Sequence, residues 1–133
     1  VTIPKLKYSQ VAPYRKDLLG KQGGTCALCS LPIAAGKDVL DHDHTEGHIR
    51  GVLHSGCNSL LGKLENNYKR YGVPDLRLFL AGAPQYLTKG SRIPLDARIL
   101  HPTFKTDEEK RQARNEAARK RRAAQKKAQD SGL

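Results

Sequence analysis

The chain has 133 residues, of which 38% are hydrophobic and 5% aromatic, with no Trp or Met; this suffices for one compact domain with an appendage and excludes a large self-sufficient core. A formal charge of +11 and a pI of about 9.8 favour a polyanionic partner, nucleic acid ahead of an anionic membrane. No apolar run approaches the roughly 18–20 residues of a membrane span, and three cysteines make a poor disulfide framework, which points to a reducing, cytoplasmic setting.

In chain order, "YRKDLLGKQGG" (14–24) is a short helical candidate closed by two glycines. "KDVLDHDH" and "HIRGVLH" read as two short strands around the turn "TEGH", with Gly47 supplying the turn. "NSLLGKLENNYKRYG" follows as a helix: Leu60, Leu61, Leu64 and Tyr68 recur at helical spacing and Gly72 ends it. "VPDLRLFLAGAPQYL" begins another helix with Pro74 near its first turn, and Ala83-Pro84 is a place for it to bend or break. "TKGSRIPLDARILHPTF" is a loop-rich connector. From Lys105 onward the chain is rich in Ala, Arg, Lys and Glu, with strong helix propensity but no apolar face. It reads as a mobile basic extension that becomes helical on an acidic partner.

Between Cys26 and Asn58 lie all three cysteines and four of the five histidines. Cys26-x-x-Cys29 and His54-x-x-Cys57 have the same short spacing, and each pair can present two donors from one knuckle. Together they make a tetrahedral Cys₃His set, which suits Zn2+ and leaves no open coordination position. The ion would then be structural, and it would compensate for the thin core. His48 is the alternative fourth ligand. "LDHDH" offers hard carboxylates beside imidazoles, a setting for Mg2+ or Mn2+ instead. If hairpin and helix fold back through the knuckles, Asn58 faces the end of the first strand. Asp41 and Asn58 can then grip one hard cation, with water and substrate phosphate completing its shell.

"LDHDH", then "IRGVLHSGCN", then Gly62 resemble the HNH/ββα-metal nucleases, and within them the phage recombination endonuclease VII family of Holliday-junction resolvases. Tyr86-Leu87 and His101-Pro102-Thr103-Phe104 add a weaker similarity, so the resemblance covers Cys26 to Phe104 and leaves out the basic tail. It implies a small α+β fold: a zinc-stapled ββα-metal module followed by helices and a basic C-terminal extension. It also implies that Asp41 and Asn58 hold the catalytic cation, that His42 is the general base, and that His44 lies close to the scissile phosphate. Cys26, Cys29 and Cys57 fall on structural zinc positions. Two departures stand out: His54 replaces a fourth cysteine, and Leu61 stands where the resolvases carry an acidic residue, with Glu65 one turn further as a candidate substitute. Simple strand alternation puts Asp41 and His42 on opposite faces, so both reach one phosphate only if the backbone near His42 is irregular. A bulge or loop is expected there.

Of the remaining candidates, Asp43 reads as a partner orienting His44, His48 as a turn residue and His101 as part of the connector. Arg50 is either a phosphate contact or a solvated strand arginine. Lys63, Lys69 and Arg70 on the first long helix are candidate DNA-backbone contacts, and Arg119 to Arg122 add salt-sensitive attraction. Leu60, Leu64, Tyr68, Leu76, Phe79 and Leu80 exceed the apolar needs of so small a module, which makes a homodimer through these helices plausible; the resemblance favours an intertwined one. The expected division is a basic segment at 1–25, the nuclease module at 26–72, a helical connector at 73–104 and the tail at 105–133. The leading expectation is a structure-selective endonuclease acting on branched DNA in the cytoplasm, that of the host if the chain is viral. The alternatives are an HNH nicking enzyme or nonspecific DNase on ordinary duplex, and a noncatalytic zinc module that binds nucleic acid.

Overall fold

A computed structural model describes residues 1–132. The element order is α1 (Tyr8–Lys21), β1 (Asp38–His42), β2 (Ile49–His54), α2 (Ser55–Asn67), α3 (Leu76–Lys89) and α4 (Asp107–Ser131), with single 3-10 turns at Gly90–Arg92 and Leu95–Ala97. The chain divides into two compact units, Val1–Gln85 and the remainder from Tyr86, the division falling within α3. The fold class is the expected small α+β type.

α1 begins six residues earlier than its sequence signals suggest. Those signals place the start just after Pro13, which is instead the sixth residue of the helix. Losing one i→i−4 bond at Pro13 is offset at the start, where the Lys7 N–H donates to Gln10 Oε1 at 2.8 Å. Gly23 and Gly24 end the helix at φ 69° and 74°, a left-handed conformation that glycine adopts without steric cost. The chain then enters the first cysteine knuckle, closed by Cys26 N–H to Leu31 O (2.9 Å) and Ser30 N–H to Cys26 O (2.9 Å).

β1 and β2 pair antiparallel with Asp41 opposite Gly51 and His42 opposite Ile49, so the register slips by one residue at Arg50. The irregularity expected near His42 is thus present in the backbone. The connecting turn is shaped by Asp43, whose Oδ1 accepts from the N–H groups of Thr45 (2.8 Å) and Glu46 (2.7 Å), while Gly47 takes φ 81°. His44 therefore lies in the turn and not on a strand.

The core is small: Cys26, Val52 and Leu53 are the buried apolar side chains, and Asp41 is the one buried acid among the described residues. β2 gains an unusual extra partner. The Gln22 side chain accepts from Val52 N–H at 2.8 Å and donates to Val52 O at 2.9 Å, imitating a third strand for one residue. Arg15 Nε donates to Asp38 Oδ2 at 2.9 Å, tying α1 to β1.

α2 starts at Ser55, three residues before the expected start, which places Cys57 and Asn58 in its first turn. α3 is capped by Asp75, whose Oδ1 accepts from Leu78 N–H at 3.0 Å, and it continues through Pro84 to Lys89 without breaking. The basic tail is helical throughout α4, where a mobile extension was expected. Thr106 and Glu109 form a reciprocal capping box, at 3.2 Å and 2.9 Å. Pairs such as Arg111–Glu108 (2.8 Å) and Lys120–Glu116 (3.2 Å) add to it. Intrinsic propensity with this cap suffices without an apolar face.

Candidate active site and metal centre

Cys26, Cys29, His54 and Cys57 converge, with their four ligand atoms all within 4.8 Å of one another. Cys29 Sγ is 3.3 Å and Cys57 Sγ 3.7 Å from His54 Nδ1. A tetrahedral zinc with bonds of roughly 2.0–2.3 Å implies ligand separations of about 3.5–3.8 Å, so the cluster can hold the ion with little movement. His54 Nε2 lies 2.9 Å from Pro32 O. Donating there fixes the tautomer that leaves the Nδ1 lone pair for the metal, the outer hydrogen bond that ligating histidines need. Burial works against the Cys26 thiolate, but the backbone N–H groups of Cys29, His54 and Leu28 outweigh it and bring the thiol down to about 6. Cys57 is pushed up to about 11 by burial and by the neighbouring thiols. Among the described residues no other group of three or more His, Cys, Asp or Glu side chains converges in this way.

Next to this staple, Asp41, His44, Asn58, Ser59, Lys63 and Glu65 line part of an open cleft of about 320 Å³. β1 supplies Asp41, the hairpin turn His44, and the first turn of α2 Asn58. His42 does not line this cleft. It opens onto a larger groove of about 720 Å³, beside the N-terminal segment and Tyr14. Its ring centroid is nonetheless 4.9 Å from that of His44, which does line the cleft.

Asp41 Oδ and Asn58 Oδ1 are hard oxygen donors bordering the same space. That donor set fits Mg2+ or Mn2+, which takes one or two protein ligands and completes its octahedron with water and phosphate. Asp41 is only 5% exposed, and both of its oxygens accept from Arg50: Nε to Oδ2 at 2.7 Å and Nη2 to Oδ1 at 3.2 Å. Arg50 simultaneously donates from Nη1 and Nη2 to Glu65 at 3.0 Å and 2.9 Å. Asp43 Oδ2 stands 4.0 Å from the same guanidinium. The hydrogen bonds to Glu65, and then those to Asp41, raise the Arg50 pKa above its already high value. Arg50 is thus committed to two carboxylates, and Glu65 faces the guanidinium.

Leu61 lies near Asp41 and Arg50 in a small apolar pocket with Ala27, Leu28, Gly51 and Leu53. Lys63 borders the cleft, and Lys69 borders the adjoining surface with His44 and Arg77; Arg70 is exposed. The Arg50–Glu65 pair and the Gln22–Val52 contact have no local sequence signal, since their partners are separated by 15 and 30 residues.

No helix among the described residues is long and apolar enough to cross a membrane. Comparison with curated proteins finds no match. The family model of recombination endonuclease VII matches residues 3–89, a span that takes in the knuckles, the hairpin, the cleft and α3. The chain is a member of the recombination endonuclease VII family.

Proposed function

We propose that the chain is an HNH-type, metal-dependent DNA endonuclease with its nuclease module at Cys26–Gly72, and that it prefers branched DNA of the Holliday-junction kind. The observation that carries this reading is the meeting of Asp41, His44 and Asn58 on one cleft with His42 against His44. Family membership in an endonuclease of recombination supports it. Asp41 and Asn58 would hold Mg2+ or Mn2+, which when bound supplies charge neutralisation at the phosphoryl group and at the departing 3′-oxygen. His42 takes the proton of the attacking water. His44 positions the phosphate from the cleft side, and the product keeps a 5′-phosphate.

The structural Zn2+ would hold β2 and the α2 start in register with the first knuckle, so that Asn58 stays opposite Asp41. Lys63 on the cleft, Lys69 on the adjoining surface and the exposed Arg70 supply contacts to the DNA backbone. Dimerisation of the helices is supported by Leu60, Leu78 and Phe79, which are 61%, 73% and 50% exposed in the single chain. Two sites related by a twofold axis are what cutting opposed strands of a junction requires.

The test is cleavage of a four-way junction against a linear duplex of the same sequence, with and without Mg2+. Faster cutting of the junction, dependent on Mg2+, is expected. Equal rates on both substrates would favour a nicking enzyme or nonspecific DNase, and no cutting of either would leave a nucleic-acid-binding zinc module.

A further inference from the structure

Asp41 is nearly inaccessible to water, and a buried carboxylate is costly unless a charge pairs with it. Arg50 supplies that charge through two hydrogen bonds. Its position follows from the backbone: Arg50 is the residue left without a strand partner where the register slips between Asp41–Gly51 and His42–Ile49. The guanidinium fork is also held by Glu65, which lies two turns beyond Asn58 on α2. The four bonds make one bridge from β1 through the bulge to α2.

Resting on the nuclease reading above, we propose that Arg50 is a positioning residue that serves as the resident counter-cation of Asp41, and that Glu65 is the anchor that retains it when a divalent cation takes its place. The carboxylate oxygens have lone pairs for both partners, but a divalent cation on Asp41 draws on the same negative charge, weakens the bonds from the guanidinium and repels it. Arg50 can give up Asp41 without leaving the site, because its two bonds to Glu65 remain. Glu65 therefore favours the cation by holding Arg50 aside, with no need to touch the cation. Without Glu65, the guanidinium keeps Asp41 as its hydrogen-bonded partner, with Asp43 Oδ2 at 4.0 Å, and competes for Asp41.

The experiment is Mn2+ binding by titration calorimetry and by the loss of free-Mn2+ electron paramagnetic resonance signal. It compares the full chain loaded with zinc, Arg50→Gln, Glu65→Gln, the double variant, and Asp41→Asn as the reference for the site. Glu65→Gln should weaken Mn2+ binding about five- to tenfold, and Arg50→Gln should tighten it. In the Arg50→Gln background most of the Glu65→Gln effect should vanish, since no guanidinium is left to compete. An equal loss from Glu65→Gln in both backgrounds would overturn the proposal, because Glu65 would then act on the cation directly. So would weakened binding in Arg50→Gln, the result expected if Arg50 only shapes Asp41. If the wild type binds no Mn2+ in an Asp41-dependent way, the nuclease reading fails as well, and the two failures are thereby separated. Zinc content and thermal midpoint, read on every variant, identify one that has lost its fold. In that event Arg50→Lys, which keeps the charge but not the fork, replaces Arg50→Gln and should bind Mn2+ more tightly than the wild type. Binding by Arg50→Lys no tighter than that of the wild type would then refute the exchange.

Discussion

The tightest constraints act on single residues around β2. A Cβ added at Gly51 would stand 3.0 Å from the Ala27 Cβ and 3.3 Å from Gln22 Oε1, in the place where Gln22 pairs with Val52. Gly51→Ala should therefore destabilise the fold by about 1–3 kcal/mol, the usual cost of overpacking, measured as a shift in the urea midpoint with an unchanged m-value. Asp43 gives a pH prediction. Hydrogen bonds from the backbone N–H groups of Glu46 and Thr45 hold its carboxyl below the ordinary value of 3.8. A carboxylate depressed on folding stabilises fully above its unfolded pKa and loses that contribution as pH falls through the folded one. Asp43→Asn should thus lower stability at neutral pH and make the hairpin turn less sensitive to acid below about pH 4, followed by chemical denaturation across that range. At this scale the Asp41-His42 pair was informative from sequence alone, because alternation made a bulge necessary if both were to serve one phosphate. Glu65 reads from sequence only as a candidate substitute for the acid absent at Leu61; its pairing with Arg50, 15 residues away across the bulge, has no local period to report it.

The elements are short, and the four thiol and imidazole ligands link them where apolar packing cannot. The two knuckles join the loop after α1 to the β2–α2 junction, so losing one ligand should release both. Cys29→Ser should abolish zinc retention and unfold the hairpin with α2, a loss of several kcal/mol given that structural zinc sites carry folding free energy. Elemental analysis together with circular dichroism would check it, and a stable zinc-free variant would refute the structural role. The hairpin, the turn at Gly47 and the presence of α2 and α3 were readable from alternation, glycine punctuation and helical spacing. Element starts were harder. Pro13 precedes the expected start of α1 but sits inside the helix, and the start of α2 was hidden because Ser55 to Cys57 read as a ligand knuckle when they are both knuckle and first turn.

For the whole molecule, the net charge divides almost evenly: the span matched by the family has 12 Lys and Arg against 7 acids, the remainder 12 against 6. Between Lys110 and Lys127 there are nine Lys and Arg side chains and one acid, Glu116, carried by the capped helix α4. Replacing Arg119, Lys120, Arg121 and Arg122 with Gln should flatten the dependence of log K for duplex DNA on log salt by up to about 3–4, near 0.9 for each phosphate no longer neutralised. Cleavage at low salt and saturating protein should persist. An unchanged slope would make α4 a solvated helix with no part in DNA binding. That this segment is helical could be expected from its propensity once a cap is present, and the capping box Thr106-x-x-Glu109 was the available signal.

The proposed chemistry depends on His42 working beside a cleft that α2 and the hairpin build together. The most direct measurement is the rate of four-way-junction cleavage by His42→Ala in Mg2+, with zinc content and secondary structure recorded on the same sample. A fall in rate of at least about 100-fold, with zinc and fold retained, is the expected result. Cleavage at the wild-type rate would contradict the assignment of the base and the mechanism built on it.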